Sequence, residues 1–220
     1  MRSFTILIFT IIFSQAFAQS LSTFAGVNHG RFYSKKNNTT SNKTEYRPDY
    51  GLCIGVELGD VKIDSILTFR FALDYEEFGG YVNSKHGGTV GSTWTKADVK
   101  KQILGIEFYP INYSLFKGLN ISLGFEFNVL LASKLRGETN AWSINNALTE
   151  PTDINTVSEF VAPYNWGLNT HLGYQFNIKK LFIEPRYKFH LGLTNELRGL
   201  QTSTKSFRHT LQLCIGYKFK

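Results

Sequence analysis

The sequence has a single methionine among 220 residues, five prolines and two cysteines. So few cysteines exclude a disulfide-built scaffold. Cys53 and Cys214 could pair in an oxidising compartment, subject to where the fold puts them. No Cys follows Ala18, so there is no lipoprotein-type acylation site. Beyond residue 18 the chain lacks any long apolar run, which excludes a helical membrane span of about 20 residues. It does not exclude transmembrane strands, which need only ~9–11 residues with every second one polar. No His, Cys and carboxylate cluster has metal-ligand spacing, and neither a metal nor a cofactor is expected. The carboxylates Asp74, Glu76 and Glu77 are at most a loose Ca²⁺ site, with a solvated acidic rim as the default.

What the chain does have begins at its first residues. Arg2 is followed by an apolar run from Phe4 to Phe13 and then by Ala16-Phe17-Ala18. A positive start, a short apolar core and an A-x-A site make a secretory signal peptide. Residues 1–18 are therefore expected to be cleaved, leaving one domain over residues 19–220. The net charge of +7 would permit a nucleic-acid partner. An exported chain without a compact basic motif makes that partner unexpected.

Nineteen Phe and eleven Tyr give the chain a β-rich composition. Its periodicity is two. From Phe207 to Phe219 the odd positions are Phe, His, Leu, Leu, Ile, Tyr and Phe, and the even ones are polar or small. Similar runs occupy residues 181–194 (with Phe182 out of phase), 164–178, 119–131, 104–110, 67–76 and 51–59. A poorly alternating run near residues 21–33 completes the set, because closure needs a partner for the last strand. That makes eight strands and no helix. Short links (60–64, 113–118, 178–180) alternate with long polar ones (34–47, 79–95, 133–159, 195–205), as in an up-and-down barrel with short periplasmic turns. The fold class is all-β, an eight-stranded antiparallel up-and-down transmembrane β-barrel in an outer membrane.

Alternation alone does not say which face points outward, and a soluble lipocalin-like ligand-binding barrel keeps its apolar face inside. Three features favour apolar-out. So many large side chains would overfill a lumen this narrow. The polar faces mix Gly with charges, as a narrow lumen requires. Aromatics such as Tyr50, Phe78, Tyr109, Tyr113, Tyr164, Trp166 and Tyr217 stand toward strand ends, as interface girdles do. Buried ions need opposite partners, so Glu57, Glu107, Glu126 and Glu184 are expected to meet Arg70, Arg186, Lys188 and Arg208 inside. Cys53 and Cys214 fall on lumen faces with the first strand between them. Their backbones would stand ~10 Å apart, too far for a disulfide.

Of the five histidines, His171 and His190 are expected in the lumen, where they could hydrogen-bond, and His209 on the lipid face. His29 and His86 complete the set. A lipid-modifying barrel enzyme would need a rim nucleophile beside such a base, and no Ser lies two positions from His209 on its face. The outer loops are net basic. Lys35, Lys36, Lys43 and Arg47 lie in the first, Lys85 and Lys96 in the second, Arg198 and Lys205 in the fourth. They are candidate contacts for phosphates of lipopolysaccharide. The tract from Asn37 to Thr44 is expected to be mobile.

Leu181-Phe182-Ile183-Glu184-Pro185-Arg186-Tyr187, Gly192-Leu193-Thr194-Asn195 and Leu213-Cys214-Ile215-Gly216-Tyr217-Lys218-Phe219, together with Gly26-Val27-Asn28, resemble the PorT-like family of outer-membrane β-barrels common in Bacteroidetes. The strand plan covers the mature chain, and the sharper motifs cover its last third. The chain departs from barrel C-termini that end on an aromatic, because Lys220 follows Phe219. The resemblance implies an outer-membrane location, and the chain reads as a non-enzymatic barrel, inserted by the barrel-assembly machinery, that stabilises the envelope or presents loops to partners, with a lipid-modifying barrel enzyme as the alternative. Through the family's namesake it also implies an accessory role in type IX protein secretion, with secretion-system components as partners.

Overall fold

The computed structural model describes residues 19–34, 42–62, 68–87, 91–116, 118–143, 152–154, 161–197 and 203–219. The expected signal peptide lies outside the described residues, as do Lys35, Lys36 and Arg198. The regular structure is all strand: β1 (Ser20–Ser34), β2 (Asn42–Lys62), β3 (Thr68–Gly87), β4 (Gly91–Phe116), β5 (Leu119–Ser143), β6 (Thr152–Ile154), β7 (Tyr164–Tyr174), β8 (Phe176–Ile178), β9 (Leu181–Gly192) and β10 (Thr204–Lys218). Neighbouring strands in the sheet, in the order β10-β1-β2-β3-β4-β5-β7-β9, pair antiparallel. β10 pairs with both β9 and β1, which closes the ring.

Eight staves make that ring. β6 is a short addition to β5, and β7 and β8 are one stave. The gap at Gln175 keeps register, since Gly173 pairs with Arg186 and Phe176 with Ile183 on either side of it. Pro185 lies in the facing stretch and has no N–H to give the ladder, which accounts for the interruption. A second proline, Pro110, sits in a register shift between Phe108 and Ile111, the kind of irregularity where a strand tolerates it.

Paired positions define the tilt. From Tyr217 the register runs through Leu21, Leu58, Phe71, Phe108, Phe125, Leu168 and Leu191 and returns to β10 at Phe207, ten residues along the strand. At standard strand spacings this stagger tilts the staves by about 40°.

The faces are inverted relative to a soluble barrel. Thirty large apolar side chains among the described residues are exposed, including Leu52 and Ile54 at 60% and Leu211 at 64%. Glu57, Arg70, Glu107, Glu126, Glu184, Arg186, Lys188 and Arg208 are all buried inside. Water would penalise that outer surface heavily, whereas lipid does not, so the soluble lipocalin-like arrangement is set aside. Closure also satisfies the backbone, as a hydrocarbon environment demands.

The strands are longer than their sequence pattern. β2 to β5 continue beyond the apolar belt, with pairing as far as Gly87 to Ser92 and Gly91 to Ser143. Lys43, Arg47, Lys85 and Lys96, expected in loops, therefore stand on a protruding sheet, and Lys205 stands on β10. Likewise, the tract expected to be mobile reaches β2 at Asn42. Above the belt the outward face turns polar, with Lys43, Asn83 and Lys85, while Val82, Ser84 and Ala97 stay buried inside, so the apolar-out alternation is lost while the ladder persists.

The run near residues 21–33 is a full fifteen-residue strand. It alternates poorly because Phe24 and Phe32 point inward. Phe24 joins Ala72, Phe182 and Cys214 in a small apolar cluster, which also explains the phase of Phe182. Phe32 packs with Phe78, Val82, Ala97, Val99, Leu135, Val161 and Leu197. Phe78 and Tyr109 are thus lumen residues, not girdle members.

Cys53 and Cys214 are free, buried thiols. Their strands flank β1, where Gly26 faces Cys53 and Phe24 faces Cys214. Two measurements check the closed ring. The unboiled mature protein, taken from outer membranes, should migrate differently from the boiled sample on a gel, and identical migration would contradict closure. Digests compared with and without reductant should show no 53–214 bridge.

Candidate functional site

The lumen is built by the inward positions of all eight staves. Seven carboxylates (Glu57, Asp74, Glu76, Glu107, Glu126, Glu184, Glu196) and five cations (Arg70, Lys101, Arg186, Lys188, Arg208) are buried there. The acids outnumber the Lys and Arg side chains, so most cations serve more than one partner.

Three layers follow the barrel axis. Nearest the short turns, Arg186 on β9 reaches across to Glu57 on β2 with two hydrogen bonds, 2.6 and 3.0 Å, and to Glu184 at 3.2 Å. Arg70 on β3 lies 3.8 Å from both Glu57 and Glu184. The paired bonds use the planar fork of the guanidinium, which a lysine cannot reproduce.

In the middle layer Lys188 sits among four carboxylates: Glu107 at 2.5 Å, Glu76 at 2.9 Å, Asp74 at 3.2 Å and Glu126 at 3.4 Å. Arg208 pairs with Glu76 at 2.6 Å and with Glu126. Tyr109 donates its hydroxyl to Glu107 at 2.6 Å, lies 2.6 Å from His171 Nε2, and accepts from Asn169 at 3.2 Å. His190 Nδ1 lies 2.8 Å from Asn169 Oδ1. The two lumen histidines are therefore linked through Asn169 and Tyr109. Small residues make room: a Cβ on Gly105 would lie 2.0 Å from Asp74 Oδ1, and one on Gly173 would lie 2.3 Å from Glu184 Oε1.

In the outer layer, Lys101 on β4 pairs with Glu196, which also accepts from Ser206 and, at 3.2 Å, from Asn165. Glu196 lies beyond β9, in a segment that folds inward so that Leu197 bridges to Val161. Lys101 Nζ stands 5.3 and 5.1 Å from the Phe32 and Phe78 ring centroids, a cation–π arrangement. The apolar cluster around Phe32 surrounds this layer.

Glu57, Arg70, Glu107, Glu126, Glu184, Arg186, Lys188 and Arg208 all lie buried in these layers. Lys101, Glu196, Asp74 and Glu76 extend the set. Asp74 and Glu76 are consumed by Lys188 and do not form an outer cation site. Glu77 instead accepts from Tyr75 on the half-exposed side. Among the described residues no group of three His, Cys, Asp or Glu side chains is arranged to hold a metal.

The protruding sheet is the second candidate. Its outward rows read Lys43, Lys85, Trp94 and Glu45, Asn83, Lys96 across β2, β3 and β4. Lys43, Glu45, Asn83, Lys85 and Trp94 line a groove of about 150 Å³. Lys43 pairs with Glu45 at 2.6 Å, and that hydrogen bond and charge hold the Glu45 carboxyl below its ordinary range. Lys96 Nζ lies 4.0 Å from the Trp94 ring centroid, and the Arg47 guanidinium lies 5.5 Å from that of Tyr81. These side chains present cations and aromatic faces to the outside.

Lys188→Met tests the middle layer. It leaves four carboxylates clustered without their shared ammonium, and loss of one partner from a buried ion set costs about 3–5 kcal/mol. Urea titration of the barrel in lipid vesicles should show a loss of that size. An unchanged midpoint would mean that Lys188 does not hold the cluster together.

A family profile described as "Outer membrane protein beta-barrel domain" matches residues 13–198. A search of curated proteins finds no match. Among solved structures the chain is similar to Neisserial surface protein A at 14% identity, with 90% of this chain and 97% of that chain covered and a TM-score of 0.47. It is similar to the outer membrane protein OprG of Pseudomonas aeruginosa at 14% identity, with 92% and 96% covered and a TM-score of 0.38. The attachment invasion locus protein Ail of Yersinia pestis, solved with the heparin analogue sucrose octasulfate, is 11% identical, with 90% and 98% covered and a TM-score of 0.37.

Proposed function

The chain belongs to the outer-membrane β-barrel domain family, and from that premise we propose that it is a non-enzymatic envelope protein working through its outer surface. The observation that carries this reading is the filled lumen. Ion pairs cross it in three layers, and an apolar cluster packs around the outermost. A barrel of this strand number with such an interior has no room for a porin-like water path. What remains for partners is the outside: the protruding sheet of β2 to β5 and the basic residues on it.

Lys43, Arg47, Lys85 and Lys96, with Lys205 on β10, are the proposed contacts for phosphates of outer-membrane lipid or lipopolysaccharide. The PorT-like resemblance adds an accessory role in protein secretion, with secretion-system components docking on the protein after the barrel-assembly machinery has inserted it.

The secreted protein profile of a deletion strain, compared with its parent, tests the secretion role. Specific exported proteins should accumulate in the periplasm. An unchanged profile would remove the secretion role and leave the envelope role. Purified barrel in planar bilayers should show no porin-like conductance, and steady open channels would overturn the filled-lumen reading.

A further inference from the structure

The lipid-facing wall carries polar side chains that the lumen and the protruding sheet do not use. One register row runs across β9, β10, β1 and β2 as Phe189, His209, His29 and Tyr50. One row toward the short turns it reads Tyr187, Leu211, Val27 and Leu52, with Leu211, Val27 and Leu52 among the most exposed apolar residues. One row toward the outer end stand Phe207 and Arg31. The two imidazoles thus mark the outer border of the apolar belt. Directly paired positions bring their Cβ atoms within ~5.5 Å of each other.

Each group is held in place. His209 Nδ1 is hydrogen-bonded to the Tyr187 hydroxyl, and its ring meets Phe189 and Phe207 at 5.1 and 5.5 Å. His29 packs on Tyr50 at 4.7 Å. The Arg31 guanidinium lies 5.0 Å from the Phe207 centroid, and among the described residues no carboxylate pairs with it. The Tyr187 hydroxyl engages Nδ1, which leaves Nε2 as the other hydrogen-bonding nitrogen of the His209 ring. The permanent guanidinium charge of Arg31 beside the two imidazoles disfavours a cation and suits an anion.

We propose that His29, His209 and Arg31 form a binding site for the phosphate group of an outer-leaflet lipid, whose acyl chains lie along Val27, Leu211 and Leu52. The placement commits the site to a lipid. Its donors open at the border between the apolar belt and the headgroups, where a lipid phosphate stands. The acyl chains supply apolar contact that a free anion would lack. This site is separate from the lysines of the protruding sheet.

The test uses the mature barrel in phosphatidylcholine nanodiscs, with phosphatidic acid as the probe. Imidazole resonances of His29 and His209, assigned through H29Q and H209Q, should shift when phosphatidic acid is included. Inorganic phosphate should leave them unmoved. Native mass spectrometry should show phosphatidic acid retained by the parent protein and weakened by about tenfold or more in an H29Q/H209Q/R31Q variant, the scale expected for lost charge-assisted bonds. K134Q, on β5 across the ring, should bind as the parent does. Heat-dependent gel migration confirms that each variant is folded, and R31Q alone replaces the triple variant if that one is not. Unshifted resonances, an equal shift with inorganic phosphate, or retention lost only in the lysine variant would each overturn the proposal.

Discussion

Hydrocarbon offers no hydrogen bonds, and the rest of this molecule depends on that fact. A strand in lipid must have both edges paired, so the sheet has to close on itself. Eight staves with a ten-residue stagger close it at a small radius. The small radius then dictates the interior. There is no space for bulk water, so each inward side chain must find its partner across the lumen.

The interior meets that requirement with a charge network flanked by two apolar clusters. Arg186 spans from β9 to β2, and Lys188 from β9 to β3, β4 and β5. Such pairs are weak evidence for net stability, because desolvation offsets much of their attraction. Their stronger effect is on geometry. Slipping a strand by one residue would send its ions into lipid and its leucines into the lumen. The network therefore fixes the register that the backbone ladder alone would leave open.

Much of this architecture was legible in the sequence, for a reason specific to membranes. Within the belt a stave has lipid on one side and ions on the other, so alternation is sharp, and β9 and β10 could be read residue by residue. Elsewhere two different effects blurred it. Above the belt, Lys43, Lys85 and Lys96 lie on strands whose outward face is polar, so the apolar-out alternation is lost and they read as loops. Inside the ring, Phe24, Phe32, Phe78 and Phe182 break phase because they pack the apolar clusters of the lumen. The residue types of the ion network were visible, but its pairs were not, since they join strands far apart in sequence. Glu196 gave no periodic signal at all, because it enters the lumen from an irregular segment. His209 could be placed on an outer face, but the place of His29 and its adjacency to His209 needed the register of β1 against β10.

The cross-lumen pairs also bear on how the chain can reach this state. Glu57 and Arg186 lie 129 positions apart in sequence and touch only once the first and last parts of the sheet have curled toward each other. Before that moment, an open sheet in the bilayer would hold most of its seven carboxylates and five cations apart from their cross-lumen partners. Partial insertion is therefore electrostatically forbidden in a way that complete insertion is not. Ring closure is thus the step that completes charge neutralisation, which couples the first strands of the chain to the last.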